Sequence, residues 1–239
     1  VEGDRQLVML KEGKFTNQAR LPKLATIATR RVDGSTIEFN HGESTALVHR
    51  LSDGAESTIN FYGNEVAVID QGDALAGFVS AAIGTDVRVA RLKEIFTRSV
   101  PLEEFAVIDG IEQSRFVDVA PILLTNEASL ADLNGRLDAP VPMERFRPNI
   151  VVEGLDAFAE DQVEALQGDG WRLVRATHCE RCAVTCTDHL TGERTREPLA
   201  TLKSYRHREN GYAGGVLFGA YMGVEGSATI RVGDALTVT

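Results

Sequence analysis

The chain has 239 residues, a formal net charge of −10, 43% hydrophobic residues and 25% charged residues. This composition fits a folded globular protein with room for one large or two modest domains, and it excludes a disordered chain. The acidic balance argues against a nucleic-acid or anionic-membrane surface, although a few arginines in one pocket suffice for an anionic ligand, and no apolar run approaches the roughly 20 residues of a membrane span.

The sequence opens at Val1 without a methionine, as expected of a fragment or processed form, so a targeting segment is expected to lie upstream if there is one. In chain order, runs at 6–10, 25–32, 35–40, 65–70 and 87–92 read as strands from their β-branched content and the Gly and Asp punctuation between them. Asp73 is placed to cap a helix over 74–83, where Leu75, Phe78, Val79, Ala82 and Ile83 share one face. The mixed-charge stretch 93–115 has little regular period and reads as the connection between an N-terminal and a C-terminal unit. Further strands are predicted at 121–125, 149–153, 171–177, 228–232 and 236–239. Ser129 is placed to cap a helix burying Leu130, Leu133 and Leu137, and Pro198 to be the first residue of a helix continuing over 199–206. The pattern predicts an α+β, mainly β protein with a few packed helices, including a β-barrel.

Cys179, Cys182 and Cys186 fall within eight residues of one another, flanked by His178 and His189. An odd, clustered set is a poor disulfide framework and points to a reducing, cytoplasmic compartment with metal or redox chemistry. Structural zinc wants four N or S ligands, and only one pair here has knuckle-like spacing. An iron–sulfur cluster normally takes four thiolates, and a thioredoxin-like Cys-x-x-Cys opens a helix, whereas 183–187 reads as a strand. All three cysteines also suit small buried core positions. A single thiolate on a metal with open coordination positions fits better, because soft donors suit transition metals and Arg181 favours the Cys182 thiolate. The spacing itself names no metal.

The C-terminal half carries, in order, Phe146-Arg-Pro-Asn-Ile-Val-Val152, Cys179-Glu-Arg-Cys182, Thr187-Asp188 with Thr191-Gly192, Glu197-Pro-Leu-Ala-Thr-Leu-Lys-Ser-Tyr-Arg206, Leu217-Phe-Gly219 with Tyr221, and Val232-Gly-Asp234. Upstream stand Gly3-Asp-Arg5, Gln18-Ala-Arg-Leu-Pro22, Phe116-Val-Asp118 and Glu127-Ala-Ser-Leu-Ala-Asp-Leu-Asn134. This ordered set resembles the MOSC family, named for its relation to the C-terminal domain of molybdenum cofactor sulfurases. Within it, the set resembles the mitochondrial amidoxime-reducing subgroup and its bacterial relatives, over nearly the whole chain.

The resemblance implies a MOSC domain over 97–239, preceded by a β-rich, barrel-like subdomain over 1–96. It also implies a molybdenum–molybdopterin cofactor with one protein cysteine ligand, which by alignment is Cys182, the metal-binding and catalytic residue. The implied cofactor-binding positions are Arg5 at the phosphate, Arg147 and Asn149 at the pterin, and Asp118, Glu180, Arg181 and Tyr221 nearby. A guanidinium pairs with a phosphate or stacks on a flat heterocycle, and an amide reads its donor and acceptor edge. Cys179 and Cys186 are then structural or supporting. The chain departs from the subgroup where a Thr-Ser pair is replaced by Val119 and Ala120. The family's first strand, ending in a phosphate-gripping Lys-Ser pair, would lie upstream of Val1.

The function so implied is a molybdenum-dependent oxidoreductase that reduces small N-hydroxylated compounds. The ferredoxin-like domain of some bacterial relatives has a four-cysteine motif that this sequence lacks. A separate electron-transfer protein, ferredoxin-like or a flavin reductase, is therefore expected, docking on the acidic surface. The alternatives are a carrier of molybdenum cofactor or of persulfide sulfur on Cys182, without redox catalysis, and a structural zinc module.

Overall fold

The computed structural model describes residues 3–43, 45–97, 113–114, 116, 119–168, 170–227 and 229–239. Strands β1 (Leu7–Lys11) and β2 (Lys14–Thr16) form a hairpin whose two turn residues, Glu12 and Gly13, have φ of 52° and 72°. Two successive positive φ values match the right-handed strand twist. Strands β3 (Ile27–Arg31), β4 (Thr36–His41) and β5 (Thr45–Arg50) make a three-stranded antiparallel sheet. Strands β6 (Glu56–Phe61), β7 (Asn64–Asp70) and β8 (Arg88–Leu92) join the first hairpin in a sheet of order β2-β1-β8-β7-β6.

Helix α1 (Asp73–Ile83) links β7 to β8. Its cap is Gly72, with φ 87°, a conformation that favours glycine; Asp73 is the first helical residue and its carboxylate pairs with Arg88 at 2.6 Å. Alternation along β1 and β8 sends Val8, Leu10, Ala90 and Leu92 into a cluster with Phe61 and Phe116. Leu7, Met9 and Val89 face the other way, into a cluster with α1 and β4. Both faces of this sheet are therefore covered.

Short strands β9 (Phe96–Thr97) and β10 (Gln113–Ser114) pair within the stretch read as a connection. The second large sheet contains β11 (Ile122–Asn126), β12 (Ile150–Val152), β13 (Ala165–Gly168), β14 (Trp171–Glu180), β15 (Leu217–Gly226) and β16 (Thr237–Val238), in the order β12-β11-β15-β14-β13-β16. Only β11 and β12 run parallel in it. The protein is mainly β, as read from the sequence, but no pairing joins β12 to β16 among the described residues, so this sheet is open rather than a closed barrel. Helices α2 (Glu127–Asn134) and α3 (Leu199–Tyr205) pack on it through Leu133 and Leu202, which meet a stacked Phe146–Phe218 pair 3.9 Å apart. No helix among the described residues is long and apolar enough to cross a membrane.

Four further local expectations are corrected. The cap of α2 is Asn126, whose side chain accepts from the Ala128 amide at 3.1 Å; Ser129 is buried in the helix and donates to Glu160 at 2.8 Å. Pro198 caps α3 instead of opening it. The 183–187 segment is a 3₁₀ turn, Ala183–Cys186, because the Thr185 hydroxyl bonds back to the Cys182 carbonyl at 3.0 Å. Residues 229–232 form no strand.

Glu160 and Asp161 sit side by side, both buried, and titrate in opposite directions. Burial raises the Glu160 carboxyl, and the Ser129 bond only partly offsets it. Burial also works on Asp161, but His178 and Arg206 outweigh it and hold that carboxyl low. A raised folded-state value favours folding below the unfolded value and loses that advantage as pH rises through the folded one. Glu160→Gln, which mimics the protonated form, is therefore expected to gain melting temperature over the wild type at pH 8 and to lose the gain at pH 4. A constant difference across a pH series of thermal melts contradicts this.

Candidate functional site

A cavity of about 650 Å³ opens where the segment before β1, the turn Met143–Phe146, the end of β14 and the 182–189 segment converge. Its lining includes Arg5, Arg147, Glu180, Arg181, Cys182 and Tyr221. The geometry thus brings together six of the residues singled out from sequence. Asp118 lies outside the described residues, and Asn149 stands just behind the wall.

Cys182 is fixed through its backbone and open at its side chain. Its carbonyl accepts from the Thr185 amide at 3.2 Å and from the Thr185 hydroxyl, while the residue itself is exposed. Cys179 and Cys186 are both buried. Burial raises the thiol of each above its ordinary value, in Cys179 despite the adjacent Arg181. Among the described residues no group of three or more His, Cys, Asp or Glu converges to hold a metal ion. A closed zinc site therefore has no ligand set there.

Glu180 and Arg181, adjacent in sequence, are used differently. The Glu180 carboxylate accepts from the amides of Tyr212 at 3.0 Å, Ala213 at 2.5 Å and Gly215 at 2.9 Å, so it organises the 211–215 loop. The half-buried Arg181 guanidinium donates to the Cys179 sulfur and the Phe146 carbonyl, each at 2.7 Å, and has no carboxylate partner among these bonds. Its Nε is buried without a partner among the described residues. Tyr221 faces Cys179, and burial holds its phenol well above the ordinary value.

Arg147 follows the 143–146 turn with φ 55° and donates to the Gln18 side chain at 3.1 Å. Asn149 exchanges two bonds of 2.9 Å with the Leu123 backbone, and its amide nitrogen donates to Asp4 at 3.0 Å. Asp4 also pairs with Arg5. Asn149 is thus a strut holding Arg5 at the cavity edge. Val119 and Ala120, at the Thr-Ser positions of the subgroup, pack apolar surface on Val174, Ala176 and Tyr221.

Two cavity residues were given no role by the sequence reading. Arg145 is 9% exposed and donates to Asp188 at 2.7 Å, but its Nε and Nη1 are buried without partners among the described residues. His189 lines the cavity with its Nδ1 likewise buried and unpartnered among the described residues. The signal for Arg145 was its place two residues before Arg147. His189 was noticed only as a flank to the cysteines.

With this geometry in hand, known proteins were compared. The MOSC domain family matches residues 112–237. Human mitochondrial amidoxime-reducing component 1 is 32% identical over 237 residues, which covers 95% of this chain and 70% of that protein. The bovine mitochondrial amidoxime reducing component 2 is 31% identical over 236 residues, again 95% and 70%. The rat component 2 is 47% identical over 124 residues, 50% of this chain and 37% of that protein. A solution structure from Bordetella bronchiseptica aligns over 37% of this chain and 72% of its own, with 17% identity and a TM-score of 0.33, too loose to bear on the fold.

Proposed function

The chain belongs to the MOSC domain family, and from that membership we propose that it is a molybdenum-cofactor-dependent oxidoreductase reducing N-hydroxylated compounds with electrons from a separate protein. One observation carries the reading: the exposed Cys182 shares a cavity with the side chains of Arg5, Arg145, Arg147 and Arg181. Four guanidinium groups around one concave surface call for an acceptor-rich, anionic ligand. A molybdopterin, with its phosphate and heterocyclic acceptors, fits that donor set. The names of the amidoxime-reducing relatives support the substrate class.

When bound, the cofactor supplies the two-electron couple; binding and positioning fall to the chain. Cys182 would hold the metal through Sγ, on a backbone already fixed by Thr185. Arg5 would pair with the phosphate, kept in place by Asp4 and Asn149. Arg147 would meet the pterin, and Arg181 would offset negative charge from beneath. Val119 and Ala120 carry no side-chain hydroxyl to offer the cofactor and pack behind the lining residue Tyr221 instead.

Protein made in a host competent for cofactor synthesis is expected to carry molybdenum at about one atom per chain by elemental analysis. It is also expected to reduce an aryl amidoxime once a reductase is supplied. Cys182→Ser is expected to lose at least tenfold in both. Molybdenum-free protein after reconstitution, with persulfide on Cys182, supports the carrier reading instead, which an exposed thiol also suits.

A further inference from the structure

Resting on the reductase reading, we propose that His189 donates the proton to the oxygen leaving the substrate. Reduction of an N-hydroxyl group breaks the N–O bond, consumes two electrons and two protons, and releases water. The electrons come from the separate electron-transfer protein. One proton must reach the oxygen as the bond breaks, or hydroxide would have to depart.

Among the described residues the cavity offers few groups for that task. Asp4 is engaged with Arg5 and Asn149, and Glu180 with three backbone amides. Guanidinium groups do not give up protons. The Tyr221 phenol is held well above its ordinary value by burial beside Cys179. Glu144, though among the lining residues, is exposed to solvent. An imidazole both gives and takes protons near neutral pH.

His189 also has the right mounting. Asp188 Oδ1 accepts from the amides of Leu190 and Thr191, each at 2.9 Å, and from the Thr191 hydroxyl at 3.3 Å. The other Asp188 oxygen is held by Arg145. The turn is thus tied on both sides, and the buried Nδ1 leaves Nε2 as the ring nitrogen that can meet a substrate in the cavity. Asp188 is the charged neighbour of the ring on its own turn, and the charged groups among the described residues of the shared cavity are Asp4, Arg5, Glu144, Arg145, Arg147, Glu180 and Arg181. The imidazole passes its proton to the departing oxygen, the nitrogen takes a proton from solvent, water leaves, and solvent reprotonates the ring.

The test compares wild type, His189→Asn and His189→Gln for molybdenum content, for amidoxime reduction between pH 5 and 9 with saturating reductase, and for the His189 ¹⁵N resonances on adding amidoxime. Molybdenum content is expected to stay within twofold and kcat to fall about 100-fold. The basic limb of the wild-type profile is expected to vanish in both variants, and amidoxime to shift the His189 resonances in the wild type. Variants within twofold of wild type in kcat with an unchanged limb overturn the proton-donor role alone, as does an amidoxime-insensitive His189. Molybdenum loss from both variants assigns the residue to cofactor binding and likewise overturns it. A wild type that reduces no N-hydroxylated compound overturns the reductase reading together with this role.

Discussion

Glu180→Ala is expected to destabilise the folded protein by about 5 kcal/mol or more, because it strands three backbone amides that converge on one carboxylate. Each bond to a charged acceptor contributes on the order of 1.5–3 kcal/mol, and buried orphaned donors add to the cost. Glu180→Gln retains one oxygen, which still serves Ala213 and Gly215, and turns an amide toward Tyr212. Its cost is expected to be about 2 kcal/mol. Urea melts of the cofactor-free proteins check the order, alanine below glutamine below wild type. Equal midpoints for all three would show that the 211–215 loop does not depend on this carboxylate.

Arg181→Met is expected to do the reverse. Its guanidinium has no carboxylate partner among the described residues, and replacing such a partly buried cation by an apolar side chain of similar length is often neutral. The loss of the Phe146 carbonyl bond offsets part of the relief, so cofactor-free stability is expected to stay within about 1 kcal/mol of wild type. Molybdenum occupancy in protein from a competent host is expected to fall at least tenfold, because the partly buried charge facing the ligand is gone. A variant that melts several kcal/mol early, as Glu180→Ala does, would assign Arg181 to the fold; a variant with full molybdenum would remove it from the site.

Elements with clean alternation or helical spacing were legible: β1, β4, β7, β8 and α1 fall within a few residues of their sequence-based bounds. β15, one of the two longest strands, was not read as one because Gly219, Gly223 and Gly226 interrupt its pattern. Gly219 has φ 82°, and a side chain there would meet the Leu124 carbonyl at 2.6 Å, so the glycine marks close strand approach inside the sheet rather than a turn. The exposed polar faces of β5 and β6 hid those strands likewise. Ser129 looked like a cap because serine favours caps, yet its hydroxyl answers Glu160, a residue 31 positions away that no local pattern reveals.

Within the site, residue types and motif order were legible, but roles were not. Glu180 and Arg181 carry opposite charges at adjacent positions, and only tertiary contacts tell that one is spent on a loop and the other is not. Asn149 reads as a ligand-facing amide until its partners, Leu123 and Asp4, are known. His189 drew attention only through the cysteines it flanks, because nothing local says which imidazole stays unpartnered.

The Asn149–Asp4 bond closes over 145 positions of sequence, and Arg194 reaches the carbonyls of Gln18 and Ala19 across 176 and 175. Contacts that distant form late, since loop closure must come before they contribute. On the ribosome the N-terminal wall emerges long before the turn carrying Asn149 and the segment carrying Cys182 and Arg194, and for that interval it has nothing to close against. If the chain takes up its cofactor as proposed, capture would be timed by synthesis: it would follow the joining of these N-terminal and C-terminal segments, and a nascent chain halted before residue 149 would have no pocket to fill.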